Sequence, residues 1–317
     1  MARANTAYYA THDPFADFTT APEITQAFGE VLGLWAAVVW QSMGAPNPVI
    51  LAEVGPGRGT LMQDALRAIA RMVPAFATAL RVHFIETSPR LRAEQAARAS
   101  GATWHDDLAG LPTGPLILLA NEFLDALPIR QYRRTGTGWA ERFVGSDGFV
   151  ELPSAGPKGR AAAEGEIVEH SDAAHDMVAE VARRIARDGG AALFVDYGPE
   201  HSGPGESLQA LRGGQPCDPL AAPGEADLTA HVDFAGLAAT ARGAGAATHG
   251  PLPQGIFLTR LGLVQRSGAL ARTQPPRQAA ALIEAANRLI EPHYMGRLFK
   301  ALAVCHPDLP FPPGFEP

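Results

Sequence analysis

The residues best able to do chemistry together lie in three short runs. The first is Glu53-Val54-Gly55-Pro56-Gly57-Arg58-Gly59-Thr60: a carboxylate, three alternating glycines and a hydroxyl. Glycines let the chain turn with positive φ and leave backbone N–H groups uncovered at a helix start, where an electron-rich ligand can meet them. The carboxylate before the turn suits a ligand with a cationic or donor-rich end better than it suits a pyrophosphate. A dinucleotide fingerprint, G-x-G-x-x-G, does not fit, because the third glycine position counted from Gly55 is occupied by Thr60. The second run, Arg81-Val82-His83-Phe84-Ile85-Glu86, ends an apolar stretch on an acid that can take both hydroxyls of a ribose. The third is Asn121-Glu122-Phe123-Leu124-Asp125, directly after the continuously apolar Pro115–Ala120. Polar groups at the carboxyl end of a central strand sit beside the ligand crevice of an α/β sheet. Each run also has a plainer reading: a glycine turn without a ligand, a surface acid, or helix-start acids worth ~0.3–1 kcal/mol each against a dipole.

These runs need rigid elements to position them. Val49–Val54 has the length and β-branched content of a buried strand, and Thr60–Arg71 places Leu61, Ala65, Leu66 and Ile69 on one helical face. Arg81–Glu86 and Pro115–Ala120 read as further strands, with a helix opened by Ser88-Pro89 between them. In the loop Trp104–Leu108, Asp106 or Asp107 can accept from an adenine amino group or cap a turn. Residues 1–21 read as irregular, crowded with Tyr8, Tyr9, Asp13, Phe15, Asp17 and Phe18. Thr19 or Thr20 then caps one amphipathic helix running to Met43, with Glu23 at its positive end. Residues 129–152 read as hairpin material, 153–171 as a polar connector, and Asp172–Asp188 as a helix leading to the strand Gly190–Tyr197. A long Gly/Pro-rich loop spans Pro199–Ala226. A helix over Ala235–Arg242, a strand at Thr248–Leu252, helices near 254–270 and 275–290, and a closing strand, Leu298–His306, follow. Strands alternating with helices give an α/β fold with a mostly parallel sheet.

The 317 residues carry a net charge of −7 with no Lys/Arg run, which disfavours a nucleic-acid or acidic-membrane binder. At 46% hydrophobic the chain has ample core material. The two cysteines, Cys217 and Cys305, lie outside any metal-ligand spacing and read as reduced thiols. No apolar run reaches ~18 residues, and no secretory segment opens the chain. A cytoplasmic location is the resulting expectation. The expected organisation is one domain over 1–317, with an N-terminal lid and helix (1–45) and insertions at 199–230 and 253–297 forming a smaller substrate or partner part.

Six stretches in order resemble one family: D-F-T-T-A-P-E-I-T-Q-A-F-G-E, E-V-G-P-G-R-G-T-L-M-Q-D, N-E-F-L-D-A-L-P-I-R-Q-Y, L-F-V-D-Y-G, G-E-A-D-L-T-A-H-V-D-F and M-G-R-L-F-K-A-L. It is the MidA type of class I S-adenosyl-L-methionine (SAM) methyltransferase, which includes a mitochondrial complex I assembly factor that methylates a protein arginine. The resemblance implies a Rossmann-like seven-stranded sheet whose last strand is antiparallel, with an added helical part. It implies SAM as cofactor, its methionine half held by Glu53 with Gly55, Gly57, Gly59 and Thr60. Glu86 then takes the ribose, and Asp106, Asp107 and Asn121 are further cofactor candidates. A protein arginine acceptor would be oriented by Asn121, Glu122 and Asp125, with Asp17 or Glu23 approaching from the N-terminal segment. The implied partner is a protein substrate such as a respiratory complex I subunit, and a homodimer is compatible with this reading. A non-catalytic SAM-binding assembly factor is the alternative. An NAD-dependent oxidoreductase is disfavoured by the glycine register. Nucleic-acid methylation is disfavoured by the charge and by the absence of an N-P-P-[YF] motif at Asn121.

Overall fold

The strand β1 (Val49–Val54) is buried at all six positions, as its unbroken apolar run requires of a strand covered on both faces. The computed structural model to which it belongs describes residues 1–12, 19–146 and 148–317. Asp17, with Asp13, Phe15 and Phe18, lies outside the described residues. β1 pairs in parallel with β2 (Leu80–Ile85) on one side and β4 (Leu116–Asn121) on the other. The seven-stranded sheet continues from β2 to β3 (Thr103–His105), and from β4 through β9 (Gly190–Tyr197) and β14 (Phe299–Cys305) to β13 (Ala247–Pro253). β14, the last strand in the chain, runs antiparallel to both its neighbours. The expected sheet is therefore present, and its strand order reverses at β1, where such sheets open a ligand crevice.

Helices cover both faces, and α5 (Pro74–Ala79) and α6 (Pro89–Arg98) flank β2 in the chain. On one face, α3 (Gln26–Ser42) and α4 (Thr60–Met72) pack Phe28, Trp35 and Leu61 over β1. Gly29 and Gly33 let these helices touch, since a Cβ at Gly33 would fall 2.6 Å from the Ala65 Cα. On the other, α7 (Asp172–Asp188) and α8 (Phe234–Gly243) bury Val178, Ile185 and Phe234. The helical part comprises α9 (Gln254–Arg260), α10 (Leu263–Ala271), α11 (Pro276–Ile290) and α12 (Met295–Leu298). Arg266 on α10 and Arg67 on α4 both donate to the buried Glu30 of α3, which ties this part to the sheet layer.

Four expectations change. Residues 1–21 are not all irregular: Ala2–Thr11 form helix α1. That segment lacks an apolar repeat, and it is held by Asn5, whose amide donates to Ala126 O and Leu228 O, each at 2.8 Å. The single helix to Met43 is broken at Thr25, which is extended and caps α3 by accepting from the Ala27 N–H; a short helix α2 (Ala21–Ile24) precedes it. The connector 153–171 contains β8 (Ile167–His170), which completes an antiparallel sheet with β5 (Arg130–Thr135), β6 (Gly138–Gly145) and β7 (Gly148–Ser154). The 199–226 loop carries the hairpin β10 (Gln209–Arg212) and β11 (Gln215–Cys217), to which β12 (Asp227–Thr229) pairs. Strands of three or four residues are too short for a period to show.

Candidate active site

Past β1 the chain turns through Gly55, Gly57 and Gly59 with φ of +60°, +53° and +80°, a region that L side chains rarely enter. A Cβ at Gly55 would also lie 2.4 Å from the Phe123 ring. The turn delivers Thr60 to the start of α4 and opens a cavity of ≈ 200 Å³ bordered by Glu53, Gly57, Thr60, Glu86 and Asn121. Glu53 is 3% exposed. Burial pushes its carboxyl well above the ordinary range, opposed by the Met62 N–H that it accepts. Among the described residues its Oε2 is buried with no hydrogen-bond partner, as is Asn121 Oδ1. Buried acceptors left open in this way call for a donor from outside the chain.

Glu86 follows β2 and lines the same cavity. Its Oε1 accepts from the Ser88 N–H (2.8 Å) and its Oε2 from Gln95 Nε2 (3.2 Å). Gln95, fully buried, also donates to Gly57 O (2.7 Å) and accepts from Trp104 Nε1 (2.8 Å). One side chain thus fixes the glycine turn relative to Glu86. The sequence reading missed Gln95, because a polar residue in a surface-type helix carries no visible signal. Asp106 and Asp107 do not line the cavity. Asp106 is exposed and paired with Arg92 at 2.6 Å, while Asp107 caps the turn Leu108–Gly110. Glu23, expected on the acceptor side, lines this cavity and accepts from Thr60 Oγ1 at 2.6 Å.

At the end of β4, Glu122 sits at φ +49°, an unusual conformation for a residue with a side chain. Three bonds hold it there. Its N–H donates to Val195 O (2.8 Å), and its Oε1 accepts from the Ala21 N–H (2.8 Å) and Asn121 Nδ2 (3.0 Å). Burial raises its carboxyl to about 7, against these two donors and the charge of Arg288. The turn beyond it is organised by Asp196 of β9, whose Oδ2 accepts from the N–H groups of Phe123, Leu124 and Asp125. Asp196 is itself raised to about 7, first by burial. Asp125 is pushed well up by burial and by the nearby carboxylates of Asp196, Glu122 and Asp227.

Behind Glu122 lies a second cavity, of ≈ 470 Å³, bordered by Tyr9, Asp125, Tyr197, Asp227 and Arg288. Tyr9 and Glu122 line both cavities, so the two adjoin. The structure therefore brings Glu53, Gly55, Gly57, Thr60, Glu86, Asn121 and Glu122 around one space. It sets Asp125 with Glu122 around the next. Tyr9, Asp196 and Asp227 had no assigned role in the sequence, although Asp196 is the penultimate residue of a predicted strand and Asp227 lies within one of the resembling stretches.

A family model described as S-adenosyl-L-methionine-dependent methyltransferase matches residues 31–252. The chain belongs to that family. This methyltransferase is 35% identical to the protein arginine methyltransferase NDUFAF7, mitochondrial, of Rattus norvegicus over 339 residues, covering 94% of this chain and 77% of the relative. Against the Homo sapiens counterpart the identity is 34%, with 94% and 76% covered. A protein from Burkholderia thailandensis solved with bound S-adenosyl-homocysteine superposes with a TM-score of 0.76 at 27% identity, over 95% of this chain and 80% of that one. A native structure from the same organism gives 0.79 at 28% identity, covering 99% and 87%. The methyl donor of this family is SAM, as the resemblance implied. The expectation of a cytoplasmic protein does not stand, since the curated relatives are named as mitochondrial.

Proposed function

We propose that the methyltransferase moves a methyl group from SAM, seated in the smaller cavity, to an arginine side chain of a protein entering the larger one. The residues present fit the cofactor. The open Glu53 Oε2 suits an ammonium, the glycine turn leaves backbone N–H groups for a carboxylate, and Glu86 on the cavity lining would take the ribose hydroxyls. When bound, SAM supplies a methyl made electrophilic by a sulfonium. The chain's own task is to hold the acceptor nitrogen in line and manage its proton, and positioning of this kind is worth up to ~7–11 kcal/mol. A planar guanidinium matches paired carboxylates, which Asp125, Asp227 and Glu122 offer around one space. As the nitrogen–carbon bond forms, the nitrogen must release a proton. A carboxylate raised to about 7 accepts it more readily than a surface acid would. The named activity of the NDUFAF7 relatives supports arginine as acceptor. Assembly of respiratory complex I, implied by the resemblance, would supply the client, and self-association into a homodimer is part of the same reading.

The observation that carries the proposal is that Glu122 lines both cavities. Glu122→Gln keeps an oxygen for the Ala21 N–H and removes only the charge. It is expected to leave SAM affinity within about twofold while transfer of labelled methyl into proteins of a cell lysate falls roughly 10–200-fold, the scale of one charge-assisted hydrogen bond. An equal fall in SAM affinity would make Glu122 a cofactor ligand. Unchanged transfer would remove it from the chemistry.

A further inference from the structure

We infer that helix α1 is a working wall of the acceptor cavity, and that its Tyr9 is a positioning residue that sets the Asp227 carboxylate for a guanidinium. The inference rests on the arginine reading above. The Tyr9 hydroxyl donates to Asp227 Oδ1 at 2.7 Å across 218 residues of chain, and Tyr9 borders both cavities. The helix that carries it is locked by Asn5. That side chain donates to Ala126 O and Leu228 O and accepts from the Leu228 N–H at 3.3 Å. Ala126 follows Asp125, and Leu228 follows Asp227. A single amide therefore fixes the backbones of the two acids that flank the cavity, and the Ala230 N–H donating to Asp125 O (3.0 Å) adds a second tie. Recognition of a planar fork depends on the carboxylate planes as well as on charge, so a phenol pinning one oxygen of Asp227 selects an orientation. The phenol remains a donor, since burial and the charge of Asp227 oppose its ionisation. Arg288 is the cationic side chain bordering this cavity, and the acids facing it are Glu122, Asp125 and Asp227.

The test uses the full chain saturated with S-adenosyl-homocysteine and titrated calorimetrically with acetyl-arginine amide or its neutral isostere, acetyl-citrulline amide. The wild type is expected to bind the arginine probe at least about tenfold more tightly than the citrulline probe. Tyr9→Phe, which keeps the ring and its packing, should weaken the arginine probe by about tenfold, one lost hydrogen bond's effect, and leave S-adenosyl-homocysteine affinity within about twofold. Asn5→Ala should weaken the arginine probe likewise. If Tyr9 only packs, both ligands weaken together or neither does, and the inference is overturned while the arginine reading stands. If the wild type does not distinguish arginine from citrulline, the arginine reading falls and the inference with it.

Discussion

The two cavities that meet at Glu122 are built in opposite ways. The smaller is walled by the ends of three adjacent parallel strands, with Glu53 and the glycine turn at β1, Glu86 after β2 and Asn121 closing β4. These three walls are strand ends plus the next few residues, so local sequence determines them, and Tyr9 and Glu23 of the N-terminal helices border the same space. The larger is assembled from α1, the turn after β4, the end of β9, β12 and α11, joined by hydrogen bonds that span 218 and 223 residues. A cofactor common to a whole family can be held by a compact local device. The proposed acceptor site, drawn from distant segments, can change one segment at a time, and it is exposed to any substitution that loosens their docking.

That contrast can be broken from the cofactor side first. Gly57→Val places a β-branched residue at φ +53°, at ~1–2 kcal/mol of backbone cost, and puts methyl groups where the ligand's backbone contacts are needed. SAM affinity should drop by at least about 100-fold in calorimetry, with the circular dichroism spectrum retained. Wild-type affinity in a folded variant would remove the glycine turn from the binding site. Glu86→Ala should weaken SAM by ~1.5–3 kcal/mol, the worth of bonds to a charged group. A loss under a third of that range would place the ribose elsewhere.

The acceptor side is sharpened by pH. Glu122 and Asp196 titrate near 7 in the folded protein, against 4.5 and 3.8 for the unperturbed groups. Between those values the folded chain holds protons that the unfolded chain has already released, so these groups make stability fall as pH rises from about 4 through 7. Transfer that needs the Glu122 carboxylate should rise about tenfold from pH 6 to pH 8. Melting midpoint and rate are thus expected to move in opposite directions over this window. Glu122→Gln should flatten the rate profile and part of the stability slope. A wild-type rate independent of pH from 6 to 8 would separate Glu122 from the proton. The smallest effect belongs to Asp106→Ala. Exposed and paired with Arg92, Asp106 should leave SAM affinity within ~0.5 kcal/mol, and a larger change would bring the loop after β3 into the cofactor site.

What could be read in the sequence follows the same division. β1, α7 and β9 match their expected bounds, because continuous apolar runs and helical repeats reach into the sequence wherever an element is long and buried. Gly55, Gly57 and Glu86 were legible as strand-end signals, and the cavity gathers them, whereas Gly59 does not border it. The placement of α1 was not, since its stability comes from Asn5 bonding residues more than a hundred positions away. Asp227 sits on a three-residue strand, and Asp196 works by capping a turn 71–73 residues earlier in the chain. Neither relation leaves a periodic trace. Gly29 and Gly33 likewise have meaning only against Ala65 and its neighbours on α4.

The most direct measurement follows the methyl group itself. The protein is incubated with methyl-labelled SAM and a cell lysate, and the labelled product is hydrolysed completely and resolved by amino-acid analysis. The expected result is label in methylarginine from a single protein, lost when Glu122→Gln replaces the wild type. Label recovered in nucleic acid, in a small molecule or on another side chain would contradict the placement of an arginine in the cavity behind Glu122.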